Sequence, residues 1–184
     1  MSSSGTVESR ERLRLFCALT LGDDVVDALV EWQRRALACD ARTVARDHLH
    51  VTLAFLGSSP AAEVPAIAEA LRAAAGRAAE PMLTPRRYRE TRSVGMLVLD
   101  DEDDRAGRLA VDLFDRLEQL GLYRREARPW LPHVTVLRFR RPPRLRPELP
   151  ELGPFSPSGA AVYHSLLRPT GAQYEVLERV ALGG

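Results

Sequence analysis

Two rhythms of apolar residues alternate along the chain. Arg12-Leu13-Arg14-Leu15-Phe16-Cys17-Ala18-Leu19 alternates polar and apolar positions and then turns fully apolar, which predicts a strand. Gly22-Asp23-Asp24 opens a helix to about Ala38. Its apolar positions Val25, Leu29, Trp32 and Ala36 return at three- and four-residue intervals, and the acidic pair suits the positive N-terminal end. Residues 48–56 predict a buried strand. Gly57-Ser58-Ser59-Pro60 predicts a turn into a second helix, with Ser59 as N-cap and Pro60 at the first helical position. That helix runs to about Ala78 and buries Val64, Ile67 and Leu71. A polar stretch over 81–92 contains a strand, and 94–99 is a clearer one. A third helix turns Leu109, Leu113, Leu117 and Leu120 inward and ends at Gly121. Another strand follows over 133–139. The Pro-rich segment 141–159 predicts an extended loop, and 160–167 and 173–182 predict a hairpin around Pro169-Thr170-Gly171.

The order strand, acidic helix start, helix, strand occurs twice, over 15–56 and 94–139. This predicts an α+β, bilobal fold. Two pseudo-symmetric lobes each carry an antiparallel sheet and outer helices, with an active-site cleft between them. Residues 1–10 are Ser-rich and expected to form a flexible tail. Residues 11–184 are expected to form a single domain of two intertwined lobes.

Composition changes this picture little. Hydrophobic residues make up 45%, ordinary for a folded protein, and the net charge of +1 supplies no global field for a polyanion. Any anion site must therefore be local. All 26 basic residues are Arg, so a cationic phosphate contact uses a guanidinium, and no Lys is present to act as nucleophile. Eight of these Arg fall in 124–146 with one acidic residue, which predicts a basic surface there. Cys17 and Cys39 have no metal spacing and form no disulfide framework. No apolar run reaches the length of a membrane span and the start is not a signal peptide, so a soluble, cytoplasmic protein is expected, with no membrane partner.

The chemistry lies in two echoing stretches, Leu49-His50-Val51-Thr52-Leu53 and Pro132-His133-Val134-Thr135-Val136. Residues two apart on a strand share a face. His50 and Thr52 therefore point one way, His133 and Thr135 one way, and the aliphatics between them point to the core. A two-fold relation between the lobes would face both pairs into one cleft. Two imidazoles can act as acid and base near neutral pH, and two hydroxyls can donate to a phosphoryl group. This set suits phosphodiester cleavage. A rival reading is a metal held by His48, His50 and His164, but it leaves His133 without a role. Arg138 is a candidate phosphate ligand, though strict alternation puts it on the wrong face, so a bulge or strand end is required there. Arg128 is a second candidate. Phe16, Trp130 and Tyr163 are candidates to stack on a base.

These motifs resemble the 2H phosphoesterase superfamily, and within it the RNA 2′,3′-cyclic phosphodiesterase family, also called 2′-5′ RNA ligase-like. The likeness extends through Arg14-Leu15-Phe16, through Leu49 to Gly57, through Arg128 to Arg138, and through the closing segment Val162 to Leu177. Three departures from the family pattern stand out: His48, Leu137 and His164. The resemblance implies His50, Thr52, His133 and Thr135 as catalytic residues and Arg138 as phosphate ligand. It implies metal-independent hydrolysis of RNA 2′,3′-cyclic phosphate ends, or of a cyclic nucleotide, to 2′-phosphomonoesters. Reverse 2′-5′ ligation could accompany it, with no cofactor, by a monomer. The alternatives are a 2′-5′ oligonucleotide or small cyclic-nucleotide phosphodiesterase and, in another class, a non-catalytic RNA-end binder.

Overall fold

The computed structural model describes residues 11–169 and 171–183; the expected N-terminal tail and Thr170 lie outside them. Eight strands and three helices follow in the order β1 (Arg12–Thr20), α1 (Asp23–Ala36), β2 (Arg42–Thr43), β3 (Val51–Pro60), α2 (Val64–Arg77), β4 (Leu83–Glu90), β5 (Val94–Asp101), α3 (Arg105–Gln119), β6 (His133–Arg138), β7 (Gly159–Arg168) and β8 (Gly171–Val180).

The strands form two antiparallel groups. β3, β1, β7 and β8 lie side by side in one, and β4, β5 and β6 in the other, with β2 pairing along the same edge of β6 that meets β3. The groups join at one residue pair, Val51 opposite Val134, between β3 and β6. The expected bilobal α+β fold is thus present, and the two sheets continue into each other through this seam. One apolar cluster lies beneath both, from Leu15, Val51 and Leu71 to Leu97, Leu113 and Val134. The helices tie the halves together. α2 packs on β7 and β8, and α3 lies against both β3 and β5. From α1, Trp32 meets Tyr88 of β4 edge-on and donates its indole N–H to the Glu148 carbonyl at 2.7 Å, pinning the Pro-rich segment.

The helix ends show how local chemistry sets these elements. α3 starts after Asp103 and Asp104, both with positive φ, and Asp101 accepts the Ala106 and Gly107 amides at 3.0 and 2.8 Å. That carboxylate satisfies two of the amides a helix start leaves bare. Gly121 (φ +69°) closes the helix, with the Leu122 amide donating to Leu117 O and the Gly121 amide to Glu118 O. This pair of bonds is the expected left-handed glycine cap.

Two expectations fail. Leu120 does not turn inward with Leu109, Leu113 and Leu117; it stands exposed at the C-cap of α3. Ser59 and Pro60 do not open a helix; β3 runs through them, with Leu13 opposite Ser59 and Arg12 opposite Pro60. Ser59 is buried in the strand. α2 begins only at Val64, after a short 3-10 turn, with Pro65 in its first turn. Pairing with β1 outweighs the local N-cap signal, and Gly57 (φ +68°) makes an irregularity in the strand where a turn was expected. No helix among the described residues is long and apolar enough to cross a membrane.

Candidate active site

Both His-x-Thr motifs flank the seam. Since Val51 faces Val134 in an antiparallel pair, one further step of that register puts His50 across from Thr135 and Thr52 across from His133. Each motif's alternation hides its valine in the core and turns its His and Thr to the other face. The Trp130 indole donates to the Thr52 carbonyl at 3.0 Å, which ties the approach of the second motif to the first.

The required bulge exists, and it exists twice. Between β5 and β6 the register passes from Met96–Thr135 to Gly95–Leu137, leaving Val136 as the extra residue. Between β1 and β3 it passes from Ala18–Thr52 to Cys17–Ala54, leaving Leu53 extra at the equivalent place. A bulge resets the alternation. After it, Arg138 stands on the Thr135 face, and Phe55 stands in the matching position of the first motif. Both side chains line the cleft. The bulge at Val136 is held by a buried amide: Gln33 of α1 donates to Val136 O at 2.8 Å and to Val44 O at 3.1 Å. Every buried position of α3, the corresponding helix, is apolar.

A cavity of about 320 Å³ opens here, and its lining includes His48, His50 and Thr52 at the first motif, Thr135 and Arg138 at the second, and Arg14, Phe16, Phe55 and Tyr174. His50 Nε2 lies 3.0 Å from Thr52 Oγ1, and the His48 backbone lies close to its ring. His133 Nδ1 donates to the carbonyl of Leu131, again two residues back, at 2.8 Å, which leaves its Nε2 available. His133 is half-buried beside the cavity and does not form its wall.

The rings of Phe16, Tyr174 and Tyr163 lie 5.1, 5.6 and 6.0 Å from His50. This burial pushes His50 down to about 4. The His48 backbone contact opposes the shift, and the nearby charges of His48, His133 and Arg138 add to it. His50 is therefore neutral at pH 7. Burial lowers His48 as well, with Asp47 opposing and Arg42 and Arg138 assisting.

The other candidates separate clearly. Phe16 and Tyr163 stack on each other at 4.9 Å and enclose His50, so they bear on the imidazole before any base. Trp130 commits its N–H to the backbone and lies outside the cavity lining, as does Arg128, which is exposed and paired with Glu126 at 2.6 Å. His164 faces Glu175 at 3.8 Å. Among the described residues no three His, Cys, Asp or Glu side chains converge as a metal site would need. Sequence reasoning missed Arg14, Phe55 and Tyr174 as lining residues. For Phe55 a signal existed: it follows His50 by five residues, as Arg138 follows His133. Arg14 lies over the Phe55 ring at 4.7 Å.

Known proteins resemble this chain in sequence and backbone. A family model described as the 2′-5′ RNA ligase superfamily matches residues 23–167. A curated relative from Thermus thermophilus, an RNA 2′,3′-cyclic phosphodiesterase, is 32% identical over 190 residues, spanning 94% of this chain and 91% of that protein. The crystal structure of TT0787 of Thermus thermophilus superposes with a TM-score of 0.78 at 31% identity, over 92% of this chain and 98% of the other. Escherichia coli LigT complexed with 3′-AMP superposes with a TM-score of 0.76 at 26% identity, over 95% and 100%. The motifs, the backbone and the extent of these matches agree, and the chain belongs to the 2′-5′ RNA ligase superfamily, the 2H phosphoesterases its sequence resembles.

Proposed function

We propose that this protein hydrolyses RNA 2′,3′-cyclic phosphate ends to 2′-phosphomonoesters, with His50 and His133 as acid and base. The observation that supports the reading is the single seam at Val51 and Val134, which joins the two motif strands, with His50, Thr52 and Thr135 lining one cavity and His133 beside it. The named activity of the Thermus relative supports it.

The step balances without a covalent intermediate. Water adds to phosphorus as one imidazole takes its proton. The P–O3′ bond breaks, and the second imidazole gives a proton to O3′. Thr52 and Thr135 donate to the non-bridging oxygens, where charge accumulates, and Arg138 pairs with them as a guanidinium fork. No metal or cofactor enters the scheme. Replacing water by a 5′-hydroxyl turns the same step into 2′-5′ ligation, with hydrolysis favoured because water is the abundant acceptor. The site acts in a monomer in the cytoplasm.

The test is turnover of an RNA ended in a 2′,3′-cyclic phosphate, with the product mapped as a 2′- or 3′-phosphate. His50→Ala and His133→Ala should each lower the rate by roughly 10²–10⁴-fold. Normal turnover in either variant sinks the two-histidine scheme. Binding without turnover in the intact protein would make it an RNA-end binder, and preference for a 2′-5′-linked oligonucleotide would move the reading to that phosphodiesterase.

A further inference from the structure

Away from the cleft several arginines sit on carboxylates, Arg34 on Glu31, Arg46 on Asp23 and Asp27, Arg72 on Glu178 and Arg125 on Glu118, while others such as Arg35 and Arg108 make no ion pair among the described residues. At the Arg138 end of the cleft the unpaired ones are grouped together. Arg42 faces Arg138 across the β2–β6 pair. The guanidinium of Arg42 reaches the β7–β8 turn, where a Cβ on Gly171 would meet it at 2.6 Å. The Phe139 amide donates to Ser93 O at 3.0 Å, which brings the β4–β5 turn carrying Arg92 alongside. Arg140 and Arg141 follow directly, and the chain then bends back through Arg144. All six are exposed, and among the described residues none makes an ion pair. Glu90, which closes on the Arg144 backbone, uses its oxygens on the Arg144 and Leu145 amides and the Tyr88 hydroxyl.

This grouping is not forced by a lack of acids. The chain has 25 Asp and Glu, yet residues 127–147 contain none. Adjacent uncompensated guanidinium groups repel each other, and an anionic partner relieves that repulsion. The track starts in the cleft at Arg138 and leads outward. A partner that begins in the cleft and continues as a line of negative charges fits it, and a nucleic-acid strand is such a partner.

We propose that Arg42, Arg92, Arg140 and Arg141 hold the RNA strand leading 5′ from the cyclic phosphate, making an oligonucleotide the preferred substrate over a mononucleotide. The proposal rests on the cyclic phosphodiesterase reading of the cleft.

The experiment compares kcat/KM for adenosine 2′,3′-cyclic phosphate and for a hexanucleotide with the same end, between 50 and 300 mM KCl. Each phosphate contact on a single strand contributes a slope of about −0.7 in a log–log salt plot, so the hexanucleotide slope should be steeper by roughly 2–3. Arg140→Ala/Arg141→Ala should make that slope shallower by about 1.4 and cost the hexanucleotide roughly ten-fold at low salt. The same variant should leave the mononucleotide rate within about two-fold. Arg35→Ala/Arg108→Ala removes equal charge from α1 and α3 and should change neither substrate. Equal slopes for the two substrates, or equal losses in the two variants, would overturn the proposal. If neither substrate turns over, the phosphodiesterase reading fails by itself. Fluorescence anisotropy with a 2′-phosphate-ended hexanucleotide then decides the track: weaker binding by Arg140→Ala/Arg141→Ala alone supports it, and unchanged binding overturns it.

Discussion

Acid should unfold this protein partly through one imidazole. His50 is held neutral by burial, pushed down to about 4 from an ordinary 6.5. In the unfolded chain it binds a proton below 6.5; in the native cleft it does not until about 4. Between those values the unfolded state carries more protons, so stability falls as pH falls, and above 6.5 His50 contributes nothing. The gap corresponds to about 3 kcal/mol at ~1.4 kcal/mol per pH unit, an upper figure because one edge of the ring meets the cleft. A fall of about 2–3 kcal/mol is a large share of a typical stability of roughly 5–15 kcal/mol. The assay is urea unfolding of the wild type and His50→Gln at pH 7, 6, 5 and 4, without phosphate. Carboxylates titrate alike in both proteins, so their effect cancels in the comparison. Relative to the variant, the wild type should lose about 2–3 kcal/mol between pH 7 and 4, a midpoint shift of about 1 M or more at m near 2 kcal/mol/M. Parallel profiles would show that His50 titrates like an exposed histidine, and the account of its aromatic enclosure would be wrong.

The pH profile of kcat/KM should be bell-shaped, with its acidic limb near pH 4 whichever ring is the base, because the two limbs report the same pair of groups in either assignment. An acidic limb near 6.5 would contradict the neutral His50. Dialysis against EDTA should leave turnover unchanged; a loss restored by zinc would transfer the chemistry to a metal. Gln33→Leu removes the donor shared by Val44 and Val136 and should cost about 1–3 kcal/mol in urea unfolding while weakening inorganic phosphate binding by calorimetry. Unchanged stability and binding would mean that the Val136 bulge holds without it.

Period-two alternation made the motifs legible before any fold was known, because a His and a Thr two apart on a strand share a face whatever surrounds them. Arg138 was legible in a subtler way: its conflict with alternation required an irregularity, and Val136 supplies it. Cross-strand neighbours were not legible. Phe16 and Tyr163 looked like surfaces for a base, but the register sets them beside each other and against His50. Tyr174 comes in from the last strand, far away in sequence, and nothing local marks it. The Ser59-Pro60 signal was real as a local preference and lost to strand pairing with Leu13 and Arg12.

The seam also has a mechanical consequence. The separation of the two motif imidazoles is not built into either lobe; it is set where the lobes meet. Val51 and Val134 act as the pivot of a caliper whose jaws are the flanking motifs. A change of side-chain volume at that pivot alters the gauge of the jaws while each jaw keeps its shape. Reach between the proposed acid and base can therefore be retuned by mutation at two buried valines outside the cavity lining.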